Sequence, residues 1–478
     1  MLKRIENVIS TKWFTMLLVG LTFVFWILQD RNSTSLGVWT IAAYSFFALS
    51  ITVLLVFFEN TGHIIQFALC ALFVTGVSQT EAFTMDTVNN APYLIILVVL
   101  IASALIFHFI RFKVKINFGV LTIGLVLIAL GYILSFTIND NTKSNMGLYI
   151  LQTLMGPAYL IIYLFFVSTI KNNRLKDFMF VLFMIGVLIS MQFITEYIRS
   201  MLFYKDYANL SGIFEMLKYG IGCDWWKFNL GYGIINDGVM FLAFFIPASA
   251  YFICKKEHTI LMVIVFFLQL GLALLSMSRA GIIGILLATI LSTIMVFRRA
   301  SKSSKIVFTV LFGAFMVGVI IWGSPIKMIA NEIGKFGSES LEDILGSRYE
   351  LYRMAIEEFI KRPIVGGGLF ANISDGTLID HGNRPIVYHS TLFHALGTMG
   401  LFGLGALIFH LVQVTKLFKK NRSSETVFLA IGLIATHIHG LIDNTFYMLN
   451  YMMVTILIYV AVEKNDVTSQ ELRVEMEQ

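Results

Sequence analysis

Residues 91–110 read APYLIILVVLIASALIFHFI, twenty positions without an Asp, Glu, Lys or Arg. As an α-helix rising about 1.5 Å per residue, such a stretch reaches roughly 30 Å, the thickness of a bilayer's hydrocarbon core. In that setting a helix satisfies every backbone N–H and C=O within the segment, so the stretch reads as a transmembrane helix. Its flanks differ. Arg111, Lys113 and Lys115 follow it, whereas Ser78 to Asn90 before it carries Glu81 and Asp86 but no Lys or Arg.

The same pattern recurs outward along the chain. Of 478 residues, 57% are hydrophobic and 13% charged, against about 25% charged in a soluble domain. That composition excludes a soluble globular protein. A hydropathy reading gives about fourteen spans, from 13–28 to 446–462, with the third, 63–77, the shortest. Assigned by alternate crossing, the Lys/Arg clusters at 3–12, 111–115, 171–176, 255–256, 298–305 and 416–422 fall on one face, cytoplasmic by the positive-inside rule. The fold class is therefore all-α: a polytopic helical membrane protein with both termini in the cytoplasm, including a tail at 466–478. The net charge of +6 implies no nucleic-acid partner, because placement of the charges matters more than their sum. Lys3-Arg4 followed by an apolar run has the form of a signal peptide, but Leu28-Gln29-Asp30-Arg31 lacks a small-residue cleavage site, so the run reads as the first span. Cys70, Cys223 and Cys254 are too scattered for a metal site or disulfide framework and read as packing residues.

Two outer segments exceed a simple connection. The region 199–229 is aromatic, with Tyr204, Tyr207, Tyr219, Trp225 and Trp226, and reads as an interfacial belt. The region 323–387 holds 16 of the 64 charged residues and three of the six prolines, which makes it a small hydrophilic domain. Within it Ser347-Arg348-Tyr349-Glu350 has the form of a capping box. Tyr349, Tyr352, Ile356, Phe359 and Ile360 then recur at helical spacing until Pro363, so an amphipathic helix is expected on the outer face.

Chemistry-bearing residues gather at the same surface. Ser278-Arg279-Ala280-Gly281 sets an arginine between two apolar runs, where a charge needs a partner, a ligand or a snorkelling path to water. Arg348 opens the amphipathic helix with the unfavourable sign for a helix N-terminus. Pro363-Ile364-Val365-Gly366-Gly367-Gly368 lacks the spacing of a nucleotide loop and reads either as a turn approaching a ligand or the membrane or as a flexible connection. Tyr388-His389-Ser390-Thr391 brings to a span's edge a histidine able to act as a base. His394 and the string His437, His439, Asp443 compete for that role, or form a helix–helix hydrogen-bond set.

In their order and common side, these elements resemble the O-antigen ligase and Wzy-type polysaccharide polymerase family of bacterial envelope membrane proteins, over about residues 271–445. The carriers are Ser278 to Gly281, the large outer loop, Ser347-Arg348, Pro363 with Gly366 and Gly368, and His389 leading into Gly397 to Gly403. Two positions depart from the family's pattern: its usual His-Asn reads His389-Ser390, and its Gly-aromatic-Gly reads Gly366-Gly367-Gly368. The division implied is residues 1–270 as N-terminal spans and 271–465 as the ligase/polymerase-like core.

The resemblance implies glycan transfer from an undecaprenyl-diphosphate carrier to a glycan or lipid acceptor, on the outer face of the bacterial plasma membrane, without metal or other cofactor. It implies that Arg279 and Arg348 bind the donor diphosphate and His389 activates the acceptor, with Ser278, Gly366, Gly368 and Ser390 in support. A flippase and a chain-length regulator are the partners that go with that role. The chemistry of the residue types agrees. The diphosphate leaving group is already a stable anion, so the reaction wants planar guanidinium charge more than a general acid, and a neutral imidazole suits the acceptor's proton. Polymerisation of lipid-linked repeat units is the favoured expectation, ligation of a finished glycan the first alternative, and transport or flipping of the same lipid the second. Transporters carry ionisable groups near the midplane in repeated halves, whereas these charges sit at one surface.

Overall fold

The computed structural model describes residues 2–29, 37–74, 92–138, 146–171, 174–203, 230–233, 235–323, 325–327, 330–331, 347–368 and 388–465. Among the described residues no β-strand forms. The first eight α-helices are α1 (Leu2–Ile9), α2 (Lys12–Leu28), α3 (Val38–Phe57), α4 (Ile64–Phe73), α5 (Pro92–Arg111), α6 (Thr122–Ile138), α7 (Met146–Thr169) and α8 (Leu175–Phe203). They are followed by α9 (Ile235–Cys254), α10 (Thr259–Leu275), α11 (Arg279–Arg299), α12 (Lys302–Trp322), α13 (Ser347–Lys361), α14 (Thr391–Lys420), α15 (Ser424–His439) and α16 (Leu449–Glu463).

Each of the fourteen expected spans falls on a helix, but helix length supports fewer crossings. Seven helices are long and apolar enough to cross a bilayer: α3, α5, α8, α9, α11, α12 and α14. The α1–α2 pair, bent by 71°, makes an eighth if it crosses as one unit. Five further apolar helices, α4, α6, α10, α15 and α16, have 10–17 residues and reach only about 15–25 Å, and within α7 the apolar stretch Thr153–Thr169 is of the same length. Hydropathy counts apolar residues and cannot tell a short helix buried among its neighbours from one that crosses. At the aromatic region, α8 continues through Arg199 to Phe203, so helix occupies the first residues expected to be loop. Residues 204–229, most of 323–387 outside α13, and 466–478 lie outside the described residues, as does Cys223.

The hub is α9, whose side chains are buried on every face, as a helix apolar all round requires. It packs against α8, α10, α11 and α15. Small residues set these distances: a Cβ on Gly432 of α15 would stand 2.5 Å from the Phe244 carbonyl oxygen of α9, so the helices meet backbone to backbone. A second group joins α6 to α7 and α14, and α7 to α16. At the periphery, α5 and α12 leave most of their apolar surface outward, as lipid-facing helices do. Buried polar groups pair across the bundle, as when Ser249 Oγ donates to Gln269 Oε1 at 3.1 Å.

Ion pairs and ring contacts gather the basic clusters at one end. Lys12 and Lys176 both reach Glu257 at 2.8 Å, Lys171 pairs with Glu59 at 2.5 Å, and Lys255 approaches Glu425 at 4.0 Å. Arg111 lies over the Phe57 ring at the end of α3. Arg298, Arg299, Lys419 and Arg422 line one groove together with Lys255. The charges also suit their helices, since Arg298 and Arg299 end α11 and Lys419 and Lys420 end α14, where cations favour the dipole.

Candidate active site

At the opposite end, α11, α13 and α14 begin, and each beginning has a local cause. After α10 a tight turn runs through Met277 at φ +53°. Ser278 then caps α11, its hydroxyl accepting the Gly281 N–H at 3.1 Å. Arg279 is the first residue past that cap. Ser390 caps α14 in the same way, accepting from Phe393 N–H at 3.5 Å. Both serines expected in a supporting role thus commit their hydroxyls to helix starts.

The amphipathic helix α13 starts at Ser347 and ends at Lys361, just before Arg362-Pro363. Its buried face is Leu351, Tyr352 and Ala355, whereas Ile356 and Ile360 of the expected apolar stripe are exposed. Ala355 faces Gly397 of α14, and Tyr352 stacks on Phe393 with ring centroids 4.3 Å apart. That packing carries Arg348, in the first turn of α13, to the start of α14.

The glycine run acts as a clamp. The Gly367 and Gly368 N–H groups donate to Gly397 and Thr398 carbonyls at 2.8 and 3.0 Å, and Leu401 and Phe402 N–H donate back to Pro363 and Ile364 at 2.9 and 3.0 Å. Helix α14 breaks at Gly400, φ +62° and ψ −154°, to make room for this pairing. Gly366, at φ +71°, allows no side chain: its Cβ would fall 2.4 Å from the Thr398 carbonyl carbon. The close approach this run makes is to the backbone of α14, a contact that neither reading of the run named.

His389 sits just before α14 in the left-handed region, φ +41°, a conformation costly for a non-glycine residue. The Tyr352 hydroxyl holds this turn, donating to the His389 carbonyl at 3.1 Å and lying 3.4 Å from that of Ile442. Burial raises the Tyr352 phenol, with Arg348 opposing and Asp443 adding to the rise, so it stays a donor.

His389 Nδ1 lies 3.0 Å from Asp443 Oδ1, and Arg348 Nη2 lies 3.5 Å from Asp443 Oδ2. Asn444 N–H also donates to Oδ1, at 2.9 Å. Burial works to raise the Asp443 carboxyl, but the His389 hydrogen bond and the charges of His389, His439 and Arg348 outweigh it and bring it down to about 2. An ionised carboxylate only accepts, so Nδ1 carries the hydrogen and Nε2 of the neutral ring keeps its lone pair. The His389 side chain is 45% exposed against 14% for Asp443. A buried acid therefore orients a histidine that faces outward, the arrangement in which a base is held in one tautomer.

The remaining residues separate. His439, at the end of α15, lies against the Ala280 backbone and within the electrostatic reach of Asp443 and Arg348, which brings the exposed Arg279 end of α11 to this site. His394 is buried beside Tyr447, and His437 points back to its own helix, Nδ1 lying 2.6 Å from the Leu433 carbonyl. Asp443 is the functional candidate that reasoning along the chain did not join to His389. Its signal was the His-x-His-x-x-x-Asp string, and its partner lies 54 residues earlier.

Fold and site together define a polytopic helical membrane protein with a half-exposed histidine, a mostly buried aspartate and arginines at helix N-termini, a combination suited to anionic ligands. Residues 264–408 match the family model described as O-antigen ligase (Wzy_C), which places this stretch in the O-antigen ligase/Wzy family. That domain supports glycan transfer of the O-antigen ligase type, with a lipid-linked glycan donor in a membrane setting. No curated protein matches the chain. The matched stretch includes Arg279, Arg348 and His389 and ends before Asp443.

Proposed function

We propose that the protein transfers an oligosaccharide from an undecaprenyl-diphosphate carrier to an acceptor hydroxyl, with His389 as base and Arg279 and Arg348 on the donor diphosphate. The observation that carries this reading is the His389–Asp443–Arg348 cluster, in which one buried carboxylate contacts both the candidate base and a candidate phosphate ligand. The acceptor oxygen attacks the anomeric carbon and the carbon–oxygen bond to the diphosphate breaks. His389 Nε2 takes the acceptor's proton, and the lipid diphosphate leaves with the electron pair. Asp443 steadies the imidazolium that forms, as a buried acid does beside a catalytic histidine. Arginine forks meet the growing phosphate charge bidentately. Positive charge supplied in this way calls for no metal, and transfer is expected to continue in EDTA; loss of activity restored by a divalent ion would count against the site.

Polymerisation of lipid-linked repeat units and ligation of a finished glycan share this donor chemistry and differ in the acceptor. The motif order is shared by both and does not encode the acceptor; polymerisation is the expectation favoured from the sequence, and ligation, which the matching family's description names, fits at least as well. Purified protein reconstituted with a defined lipid-diphosphate oligosaccharide separates them: chain growth marks a polymerase and single transfer to an added acceptor a ligase. Movement across the bilayer without a new bond would leave only transport.

The site is proposed to face the outside of the bacterial plasma membrane, because the basic clusters gather at the other end. Arg353→Cys on α13 should label from outside intact cells and Ser303→Cys beside the basic end should not. The reverse pattern would invert the orientation.

A further inference from the structure

A cavity runs along α15 from the basic end of the bundle to His437 and Ile438, one turn short of the candidate active site. It is a groove of about 950 Å³ between α11, α14 and α15. Helices α14 and α15 are joined at 421–423 but pack on different neighbours, α14 on α6 and α13, α15 on α9 and α11, which leaves the space between them open. The wall is apolar, with Leu411, Val414, Phe418, Val427, Leu433 and Ile434. Its mouth at the basic end carries Arg298, Arg299, Lys419 and Arg422, with hydroxyls from Thr415 and Ser424. Among the described residues no carboxylate lines the groove. Lys255 also lines it but already approaches Glu425; the other four cations have no ion-pair partner among the described residues.

We infer that this groove binds an anionic phospholipid of the adjoining leaflet, its phosphate among Arg298, Arg299, Lys419 and Arg422 and an acyl chain along the apolar wall. Each half of the groove matches one half of such a molecule. Unpaired cations at a membrane surface attract anionic headgroups by about fivefold per charge, and an apolar slot between helices suits a hydrocarbon chain. At this mouth the donor diphosphate is the poorer occupant. The sixteen residues of α15 separate this mouth from His439 and the histidine–aspartate cluster by roughly 24 Å, too far for His389 to act on a glycan attached there.

The test uses the full chain in detergent, with phosphatidylglycerol, phosphatidylcholine and undecaprenyl diphosphate as probes and native mass spectrometry counting retained lipids. One phosphatidylglycerol is expected to be held in preference to phosphatidylcholine. Each of Arg299→Gln, Lys419→Gln and Arg422→Gln should reduce that preference about fivefold, while Arg299→Lys keeps it. Ala430→Trp, placed on the apolar wall, should lower retention without altering charge. Equal retention of the two phospholipids, unchanged preference in the glutamine variants, or displacement of phosphatidylglycerol by undecaprenyl diphosphate would each overturn the assignment.

Discussion

The two ends of α15 handle charge in opposite ways. Past His439, every named charge of the candidate site engages its neighbours: Asp443 contacts His389 and Arg348, and Tyr352 pins the backbone that carries His389. Before Ser424, the cations of Arg298, Arg299, Lys419 and Arg422 stand around an open groove that no carboxylate lines among the described residues. Paired groups have fixed positions and protonation states, which reaction chemistry needs. Unpaired cations at a membrane surface retain their attraction for an anion that arrives from outside.

The sharpest way to break this contrast is to remove the base. His389→Ala should lower turnover by about 10²- to 10⁴-fold with donor binding nearly intact, as read by single-turnover transfer and a separate binding assay. Near-normal turnover would return His389 to a boundary residue. Asp443→Asn should cost up to about 10⁴-fold, because an amide can hold the ring in the wrong tautomer. The matching test for Arg348→Lys expects about 10- to 100-fold loss, since a point charge replaces a fork. Equal activity in that variant would reduce Arg348 to a partner of Asp443.

Acid sharpens the comparison further. Asp443, brought down to about 2, binds fewer protons in the folded than in the unfolded chain throughout the range between its folded and ordinary values. Its contribution to stability is therefore complete above about pH 4 and is lost as pH falls through about 2. Thermal unfolding in detergent should show Asp443→Asn less stable than the parent at pH 7, with the gap closing between pH 4 and 2. A gap constant over that window would mean the carboxylate is not held by His389 and Arg348. The smallest effect expected on chemistry is that of Gly366→Ala, which should destabilise by about 1–3 kcal/mol, because a Cβ at φ +71° would strike α14. Turnover per folded molecule should fall less than with His389→Ala; an unchanged melting temperature would refute the clamp.

Much of this architecture was legible along the chain. The apolar stretches, the basic clusters and the start and stop of α13 are local properties, fixed by roughly 20-residue windows and by capping and proline chemistry, and each coincides with an element or an end of the bundle. Arg279, Arg348 and His389 were also nameable, because charges beside apolar runs stand out. Several features were not legible. Seven long spans among fourteen apolar segments is a matter of where helices end and what buries them. That Ser278 and Ser390 cap helices, and that Gly366 wedges against a break at Gly400, depended on how α13 lies on α14.

What the sequence determined by itself was the solvent: so many uncharged runs can satisfy their backbone only as helices in a bilayer, whatever their mutual arrangement. What only the tertiary structure decided was partnership. Asp443 meets a histidine 54 residues away and an arginine 95 residues away, and Arg299 and Arg422 share one groove. Hydropathy and capping act between near neighbours in the chain, whereas a hydrogen bond at 3 Å between distant residues exists only once helix packing has fixed the distance.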